Sequence, residues 1–257
     1  MTKIHPTAIV EKGAELGEGV EVGAYSVIGP NVKLMDGARV MPHVHIEGWT
    51  TVGSKCTIYP FASIGTQCQD LKYKGAKTHV EIGDRTVLRE YVTVNSSTEE
   101  GETTRVGSDC FIMAYCHIAH KCWIGNGVIL ANCAQLCGHV TIEDFVGVGG
   151  MVGVHQFVRI GTMSFVGGFS RIAQDVPPFF LVEGTPAVAR GINSVGLRRR
   201  NVSGETRGVL KEAFRLLCRE GLSTTQAVGR IRSELAPCKE RDELLKFVET
   251  SERGIIK

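Results

Sequence analysis

The sequence predicts a mainly β protein, a parallel β-helix followed by a small helical domain. Three observations predict it: an aliphatic residue at almost every sixth position, a small or β-branched residue two positions earlier, and helical apolar spacing confined to the end of the chain. A period of six fits neither an α-helix nor a plain alternating strand, but it is typical of short strands wound into coils. The aliphatic series runs from Ile4 to Ile64 and from Ile82 to Ile172, with one further break after Val94.

Each six-residue repeat contains a triplet whose first and third side chains point the same way, because side chains alternate across a strand. We therefore expect the small and the aliphatic residue to face inward and the residue between them to face outward. Three repeats close a coil of eighteen residues, so each residue lies above the one eighteen positions earlier, with coils about 4.8 Å apart. Glycine often follows the aliphatic residue and is expected at the corners.

The cysteines follow the same pattern. Four of the nine, Cys56, Cys110, Cys116 and Cys122, fall at inward small positions and are predicted to be core residues, a common use of free cysteine. The chain has no Cys-x-x-Cys motif. Reduced thiols are therefore expected, as in the cytosol.

Composition excludes several classes of protein. A net charge of +2 argues against bulk binding of nucleic acid, and 43% apolar with 22% charged residues indicates a packed core. No apolar run approaches the length of about eighteen residues needed to cross a bilayer, and the N-terminus lacks a signal-peptide core. These features predict a cytoplasmic protein.

Two polar segments, 66–79 and 95–103, interrupt the repeats and are predicted to be loops that leave a corner of the coil. Loops on a rigid scaffold often bear functional residues. The repeats fade at 174–178, so we predict a β-helix domain over 1–185 and a C-terminal helical domain over 186–257.

The tail contains signals for three helices. Ser203 can cap the first, which ends near Gly221, and Ser223 with Gln226 forms a capping box for the second. Leu244 and its neighbours give the last helix. Their apolar stripes are expected to pack together or on the β-helix.

Four of the eight histidines share one corner of the coil. With eighteen residues per coil, three successive coils place these side chains near one another: His117, His120, His139 and His155. Outward histidines that stack in this way suggest either a metal site or acid–base chemistry.

A glycine that occupies the same position as His120 in the next coil favours acid–base chemistry. Gly138 lies above His120, and Gln156 lies above Gly138. A histidine can take a proton from a hydroxyl while a backbone N–H binds the oxyanion that forms on a carbonyl. This pair predicts acyl transfer.

Several motifs together resemble the UDP-N-acetylglucosamine acyltransferase family of hexapeptide-repeat transferases. They are His117-Ile-Ala-His120, Leu136-Cys-Gly-His-Val140, Val154-His-Gln-Phe157, Gln69-Asp-Leu-Lys-Tyr73 and Gln174-Asp-Val-Pro-Pro178. The resemblance implies a left-handed parallel β-helix that forms a homotrimer with active sites between subunits. It also implies transfer of a 3-hydroxyacyl chain from acyl carrier protein to the glucosamine 3-position of a UDP-sugar, the first step of lipid A biosynthesis. The acyl chain is carried on the phosphopantetheine of the carrier protein, and no other cofactor or metal is implied.

The resemblance also implies roles for individual residues. His120 matches the general base and Gly138 the oxyanion donor. The remaining matches are substrate-binding residues: Gln69, Asp70, Lys72, His117 and His139 for the sugar and diphosphate, His155 and Gln156 for the nucleotide and acyl neighbourhood, Asn193 and Arg199 for the nucleotide, and Gly168 for the floor of the acyl groove.

Simpler interpretations of some of these residues stay open. Asp70 could serve only the turn chemistry of its loop, and Lys72 and Arg199 could be solvated charges. Gly168 could be a corner glycine without a role in chain length. The run 198–200 of three arginines could attract phosphates or the acidic carrier protein, or could simply be an exposed patch.

Two positions depart from the family pattern. Lys121 follows His120 where the family usually has an aspartate that supports the imidazole, so another acceptor must orient His120 or Lys121 must point away. Val195 stands where many relatives have glutamate. This second change raises the hypothesis of a 3-amino rather than a 3-hydroxy acceptor.

Three other classes are alternatives. An amine-directed acyltransferase of the same pathway normally has a preceding uridine-binding domain, and repeats that start at Ile4 leave no room for one.

A β-helical carbonic anhydrase would use three histidines on zinc with His-x4-His spacing, whereas this chain has His-x2-His. Cys133 and Cys137 with His139 could suggest zinc, but both cysteines are expected at corners. A β-helix used only for assembly would need no aligned histidines.

Overall fold

The computed structural model describes all 257 residues. Short strands wind into a triangular coil with three parallel sheets, and a β-hairpin and four helices follow. We refer to the sheets as first, second and third in the order in which the chain meets them.

The strands of the coil are two to four residues long. In the first sheet they are β1 (Lys3–Ile4), β4 (Glu21–Val22), β7 (Arg39–Val40), β10 (Thr57–Ile58), β13 (Val87–Leu88), β16 (Phe111–Ile112), β19 (Ile129–Leu130), β22 (Gly147–Val148) and β25 (Phe165–Val166). In the second they are β2 (Ile9–Val10), β5 (Val27–Ile28), β8 (His45–Ile46), β11 (Ser63–Thr66), β14 (Thr93–Asn95), β17 (His117–Ile118), β20 (Gln135–Leu136), β23 (Gly153–Val154) and β26 (Arg171–Ile172). In the third they are β3 (Glu15–Leu16), β6 (Lys33–Leu34), β9 (Trp49–Val52), β12 (His79–Ile82), β15 (Thr103–Val106), β18 (Trp123–Ile124), β21 (Thr141–Ile142) and β24 (Arg159–Ile160).

The register confirms the predicted winding. Lys3 pairs with Glu21, eighteen positions later, and the same offset recurs wherever no loop intervenes. A loop lengthens a coil without changing the stacking, so that Thr57 pairs with Val87 across the first of them. Residues 67–78 and 96–102 form these two loops, and both leave the edge between the second and third sheets.

The inward positions form the core, as predicted. Cys116 and Ile118 of one triplet are fully buried, whereas His117 between them is only partly buried. Burial raises the pKa of the Cys116 thiol to about 11, which keeps it protonated. The first coil differs, because nothing covers its open end, and Ile4 is exposed there.

Most glycines that directly follow an aliphatic residue serve close approach rather than a special backbone angle. A Cβ atom on Gly107 would lie 2.4 Å from the carbonyl oxygen of Gly125 in the next coil, and one on Gly23 would lie 2.6 Å from the nitrogen of Pro42. The left-handed corner positions are instead mostly occupied by larger residues. Five of these form a ladder of stacked rings along the edge between the first and second sheets, with centroids 4.8 to 5.2 Å apart: Tyr25, His43, Phe61, Tyr91 and Tyr115.

After the coil, the chain forms an antiparallel hairpin of β27 (Phe180–Gly184) and β28 (Ala187–Ile192) that extends the first sheet. The repeat pattern did not predict this hairpin, because it pairs with β25 outside the period of six. The predicted domain boundary at 185 falls in its turn.

Four helices complete the chain: α1 (Ser194–Arg199), α2 (Gly204–Cys218), α3 (Thr224–Glu234) and α4 (Lys239–Glu249). Ser203 caps α2, and Ser223 with Gln226 forms the predicted capping box of α3. The sequence did not predict α1 as a helix. None of the four is long and apolar enough to cross a membrane.

The end of the chain returns to the β-helix. Asp175, which is buried, accepts hydrogen bonds from the backbone of Arg159 at 2.8 Å and from the hydroxyl of Ser251 at 2.7 Å. Its carbonyl accepts another from Ile256. The helical tail is thereby fixed to the last coils.

Candidate active site

The structure brings five of the predicted residues together at the edge between the second and third sheets. We call this the histidine edge and define it by His120, Gly138, His139, His155 and Gln156. Each lies in a corner that follows a strand of the second sheet. Backbone hydrogen bonds from His139 to His120 and from Phe157 to Gly138 hold the corners in register.

His120 and Gly138 are in direct contact. A Cβ atom on Gly138 would lie 2.1 Å from Nε2 of His120, so only glycine leaves room for the imidazole. The ring of His139 meets His120 edge-on, with centroids 5.3 Å apart. The side chain of His120 is 16% exposed. Packing on two sides therefore fixes the imidazole while one side stays open.

The backbone N–H of Gly138 has no acceptor within the chain. At the edge between the third and first sheets, side chains of the next coil cap equivalent N–H groups, as Asn126 does for Ser108 and Asp144 does for Asn126. The residue above Gly138 is Gln156, and its side-chain amide makes no such bond. This N–H is free to bind an anionic oxygen beside Nε2 of His120.

Asp70 in the first loop reaches the same place. Its Oδ2 lies 3.7 Å from Nε2 of His120, and its Oδ1 accepts a hydrogen bond from the N–H of Lys72 at 2.9 Å. Asp70 therefore forms the local turn that the sequence allowed, and it also presents a carboxylate to the imidazole, a contact that the sequence did not predict. Gln69, beside it, is exposed.

Lys121 points away from His120. Its ammonium donates a hydrogen bond to the carboxylate of Glu102, which also accepts from the Ser97 hydroxyl at 2.7 Å and the Glu99 N–H at 3.2 Å. Burial alone would raise the pKa of Glu102, but the hydrogen bonds and the charge of Lys121 outweigh it and lower the pKa to about 2. The sequence left open that Lys121 points away from His120, and the structure has this arrangement.

The two other histidines near His120 have lowered pKa values. Burial is the main cause for both His117 and His139, and the neighbouring His120 adds to it. Nδ1 of His117 lies 2.7 Å from the hydroxyl of Thr93. Neutral imidazoles can accept as well as donate hydrogen bonds, which suits contacts with sugar hydroxyls.

A polar cleft of about 480 Å³ opens beside the histidine edge between the two loops. It is lined by Asp70, Lys72, Lys74, Gly75, Ala76, Thr98, Glu99, Glu100, Glu102 and His139. At the far end of the edge, His155 and Gln156 are exposed, and the guanidinium of Arg253 lies 3.3 Å from Nδ1 of His155.

Asn193, Arg199 and Gly168 lie elsewhere in the chain. Asn193 and Arg199 line a second cavity of about 580 Å³ between α1 and the first sheet, whose wall includes Ile129, Phe165 and Val195. Gly168 is exposed at the edge between the first and second sheets, with Gly150 as its neighbour in the coil below. A single chain does not bring these three residues to the histidine edge.

Sequence reasoning missed several residues of this region. Glu102 and Ser97 gave no signal, because their link to Lys121 depends on how a loop folds back. Arg253 is far from His155 along the chain. Arg200, whose guanidinium stacks 3.9 Å from the ring centroid of Phe145, was noted only as part of an arginine run.

Comparison with known proteins gives the family. A family model described as "Udp N-acetylglucosamine O-acyltransferase; Domain 2" matches residues 175–256, and one for the bacterial transferase hexapeptide matches residues 103–138. An acyl-[acyl-carrier-protein]--UDP-N-acetylglucosamine O-acyltransferase of Thermodesulfovibrio yellowstonii is 48% identical over 256 residues, 99% of both chains. The chain belongs to the UDP-N-acetylglucosamine O-acyltransferase family.

Other members agree. The relative of the same name from Syntrophobacter fumaroxidans is 50% identical over 257 residues, covering 99% of this chain and 100% of the relative. The solved LpxA structure from Acinetobacter baumannii superposes with a TM-score of 0.95 at 41% identity, covering 99% of each chain. The UDP-N-acetylglucosamine acyltransferase of Bacteroides fragilis gives a TM-score of 0.96 at 35% identity, covering 98% of this chain and 99% of the other. The family resemblance and the β-helix fold predicted from the sequence are both confirmed.

Proposed function

We propose that this acyltransferase moves a 3-hydroxyacyl chain from acyl carrier protein to the 3-position of the glucosamine unit of UDP-N-acetylglucosamine, the step that begins lipid A biosynthesis. The observation that supports this most is the pairing of His120 with the free N–H of Gly138. A base and an oxyanion donor in contact are what attack of a hydroxyl on a thioester requires.

In this mechanism, Nε2 of His120 removes the proton of the acceptor hydroxyl as its oxygen attacks the thioester carbonyl. The Gly138 N–H binds the oxyanion of the tetrahedral intermediate. As the intermediate collapses, the carbon–sulfur bond breaks and His120 returns the proton to the leaving thiolate. The carboxylate of Asp70, 3.7 Å from Nε2, stabilises the imidazolium while it holds the proton. The donor brings its own phosphopantetheine, so these steps use no further cofactor.

The substrate-binding roles follow from position. The cleft beside the histidine edge offers Lys72 for the diphosphate and Asp70 and His139 for sugar hydroxyls, with Gln69 at its exposed margin. His117 does not line the cleft, but it is partly buried on the strand that leads to His120, and we include it among the sugar contacts. His155 and Gln156 extend the same edge toward the nucleotide and the acyl chain.

The second cavity supports a composite site in a homotrimer. Its apolar wall suits an acyl chain, and its arginines suit a nucleotide phosphate, yet it faces away from His120 of the same chain. A neighbouring subunit would place Asn193, Arg199 and Gly168 opposite the histidine edge. Nine cysteines with free thiols fit a reducing compartment, and we include the cytosol in the proposal.

The first test is direct transfer. Purified protein is incubated with 3-hydroxyacyl carrier-protein thioesters of several lengths and with UDP-N-acetylglucosamine or its 3-amino analogue. We expect acylation of the sugar nucleotide, loss of transfer in His120→Ala and an unchanged melting temperature in that variant. Substantial transfer by His120→Ala would contradict the assigned base. A clear preference for the hydroxyl substrate would remove the 3-amino hypothesis raised by Val195.

The second test addresses the composite site. Alone, His120→Ala is expected to be inactive and Arg199→Ala to be weakly active at most. Mixed trimers of the two should regain transfer, because some interfaces then combine an intact His120 with an intact Arg199. Mixtures that stay as inactive as the parents would contradict a shared site.

A further inference from the structure

We infer that Lys121 is a positioning residue that ties the two loops beside the histidine edge, so that Asp70 and Lys72 are held where the acceptor sugar binds. This inference rests on the proposed function for the identity of the acceptor. An aspartate after His120 would support the imidazole directly. Lys121 instead supports the site indirectly, through its contacts with the loops.

Lys121 contacts the second loop and the strand that follows it. The backbone N–H of Lys121 donates to the hydroxyl of Thr104 at 2.9 Å, which fixes the corner, and its ammonium reaches Glu102. The carboxylate of Glu102 is only 11% exposed, so without the lysine it would be a poorly compensated buried charge. Ser97 and the N–H of Glu99 bond the same carboxylate, and the second loop therefore folds around it.

The two loops are also bonded to each other. The carboxylate of Glu100 accepts a hydrogen bond from the N–H of Lys77 at 2.8 Å, and the carbonyl of Lys77 accepts one from Gly101 at 2.9 Å. The sulfur of Cys68 lies 3.8 Å from the hydroxyl of Thr98. The first loop is thus bonded to the second near both of its ends.

Asp70 connects the first loop to His120. Asp70 lies in the first loop between Cys68 and Lys77, and its Oδ2 faces Nε2 of His120 at 3.7 Å. Loss of the Lys121 bond would free Glu102 to move into water and would loosen both loops. The chain of contacts therefore starts at Lys121, beside His120 in sequence, and returns to His120 through space.

The experiment compares Lys121→Met, which keeps an unbranched side chain but removes its charge, with Lys121→Asp, which restores the usual family residue. Lys55→Met is the matched control, because Lys55 is an exposed lysine in the same left-handed corner conformation on the opposite edge. We expect Lys121→Met to raise the KM for the sugar nucleotide about three- to tenfold, with a smaller change in kcat, because the ion pair joins a half-exposed lysine to a mostly buried carboxylate. Lys121→Asp should be worse, since it places a second carboxylate beside Glu102.

The rescue variant Lys121→Asp/Glu102→Lys exchanges the two charges and should recover most of the lost KM. An equal or higher activity of Lys121→Asp would overturn the inference, because it would show that an aspartate supports His120 directly here as well. Kinetics of Lys121→Met that match those of Lys55→Met would overturn it too.

A readout without turnover separates this inference from the proposed function. Trypsin can cleave the first loop at Lys72, Lys74 and Lys77, and we expect faster cleavage there in Lys121→Met than in the wild type or Lys55→Met. Equal cleavage rates of the first loop in Lys121→Met and in the wild type would contradict the inference. A lower melting temperature together with faster cleavage along the whole chain would contradict it as well, because it would indicate general destabilisation rather than a local effect on the loops. If the wild-type protein failed to acylate the sugar nucleotide, the proposed function would fail, while the cleavage rates would still decide whether Lys121 holds the loops.

Discussion

The α-carbon of Gly138 lies so close above the ring of His120 that a Cβ atom would fall 2.1 Å from Nε2. No real Cβ tolerates such a distance, and the obstacle is a ring already packed against His139. Only glycine leaves room for the imidazole at this position, and in the proposed mechanism its unpaired N–H also binds the oxyanion.

Gly138→Ala should accordingly impair transfer more than stability. The alanine keeps its backbone N–H, but its methyl group must displace the imidazole of His120, and a catalytic group misplaced by about 1 Å can cost about 10² in rate. Steady-state kinetics would measure this, with Gly208→Ala as control, because a Cβ atom at Gly208 meets nothing within 4 Å. A kcat within a few-fold of wild type would contradict the need for glycine at this position.

Asp70 makes two separable contacts, one with the N–H of Lys72 and one with the imidazole of His120. Asp70→Asn keeps an oxygen for the turn with Lys72 but removes the charge beside His120, and we expect kcat/KM to fall about tenfold, equivalent to about 1.4 kcal/mol. Asp70→Ala removes the turn as well and should be worse. The control is Asp36→Asn, since Asp36 likewise accepts a backbone hydrogen bond, from Glu18 at 2.8 Å, but on a distant edge. Equal activity of Asp70→Asn and wild type would confine Asp70 to its turn.

The sequence predicted most of the coil because its period is local information. A triplet such as Cys116–Ile118 fixes which side chains are buried, and an offset of eighteen then places Gly138 over His120. The fold of the loops was beyond this reasoning, because Lys121 meets Glu102 only after a polar segment has turned back on itself. Such contacts depend on burial and charge in the folded structure, and no periodic pattern in the sequence predicts them.

The tail shows the same limit. Capping at Ser203 and Ser223 is a local signal and was predicted, whereas the hairpin ending at Ile192 pairs with the last coil through backbone atoms that any sequence supplies. The position of Arg199 at a cavity on the first sheet likewise depends on that hairpin. The sequence could therefore name Arg199 by resemblance but could not place it relative to His120.

Ile118 tests the stability of the coil itself. Its side chain is fully buried two positions before His120, and Ile118→Asp would place a charge where no partner exists. We expect a loss of about 3–5 kcal/mol in the free energy of unfolding, as for other uncompensated buried charges. Ile118→Val removes one methyl group and should cost only about 0.5–1.5 kcal/mol. Denaturant unfolding would measure both, and a stable Ile118→Asp variant would contradict the inward register.

Glu243 on α4 predicts a pH dependence of stability. Burial raises the pKa of this carboxyl above its ordinary value of 4.5, and the nearby carboxylate of Glu143 raises it further. A group with a raised pKa in the folded state favours folding most when it is protonated, so its contribution is lost as the pH rises from about 4.5 through the folded-state pKa.

Glu243→Gln should therefore stabilise the protein at pH 7 to 8, because the amide carries no charge to desolvate or to repel Glu143. The gain should be no more than about 1 kcal/mol, since the side chain remains partly in contact with water. It should shrink toward zero near pH 4, where the wild-type carboxyl is protonated as well. Melting temperatures measured across this range would show the trend, with the exposed Glu252→Gln as a control for net charge. A gain that is constant with pH, or that is matched by Glu252→Gln, would rule out the proposed cause.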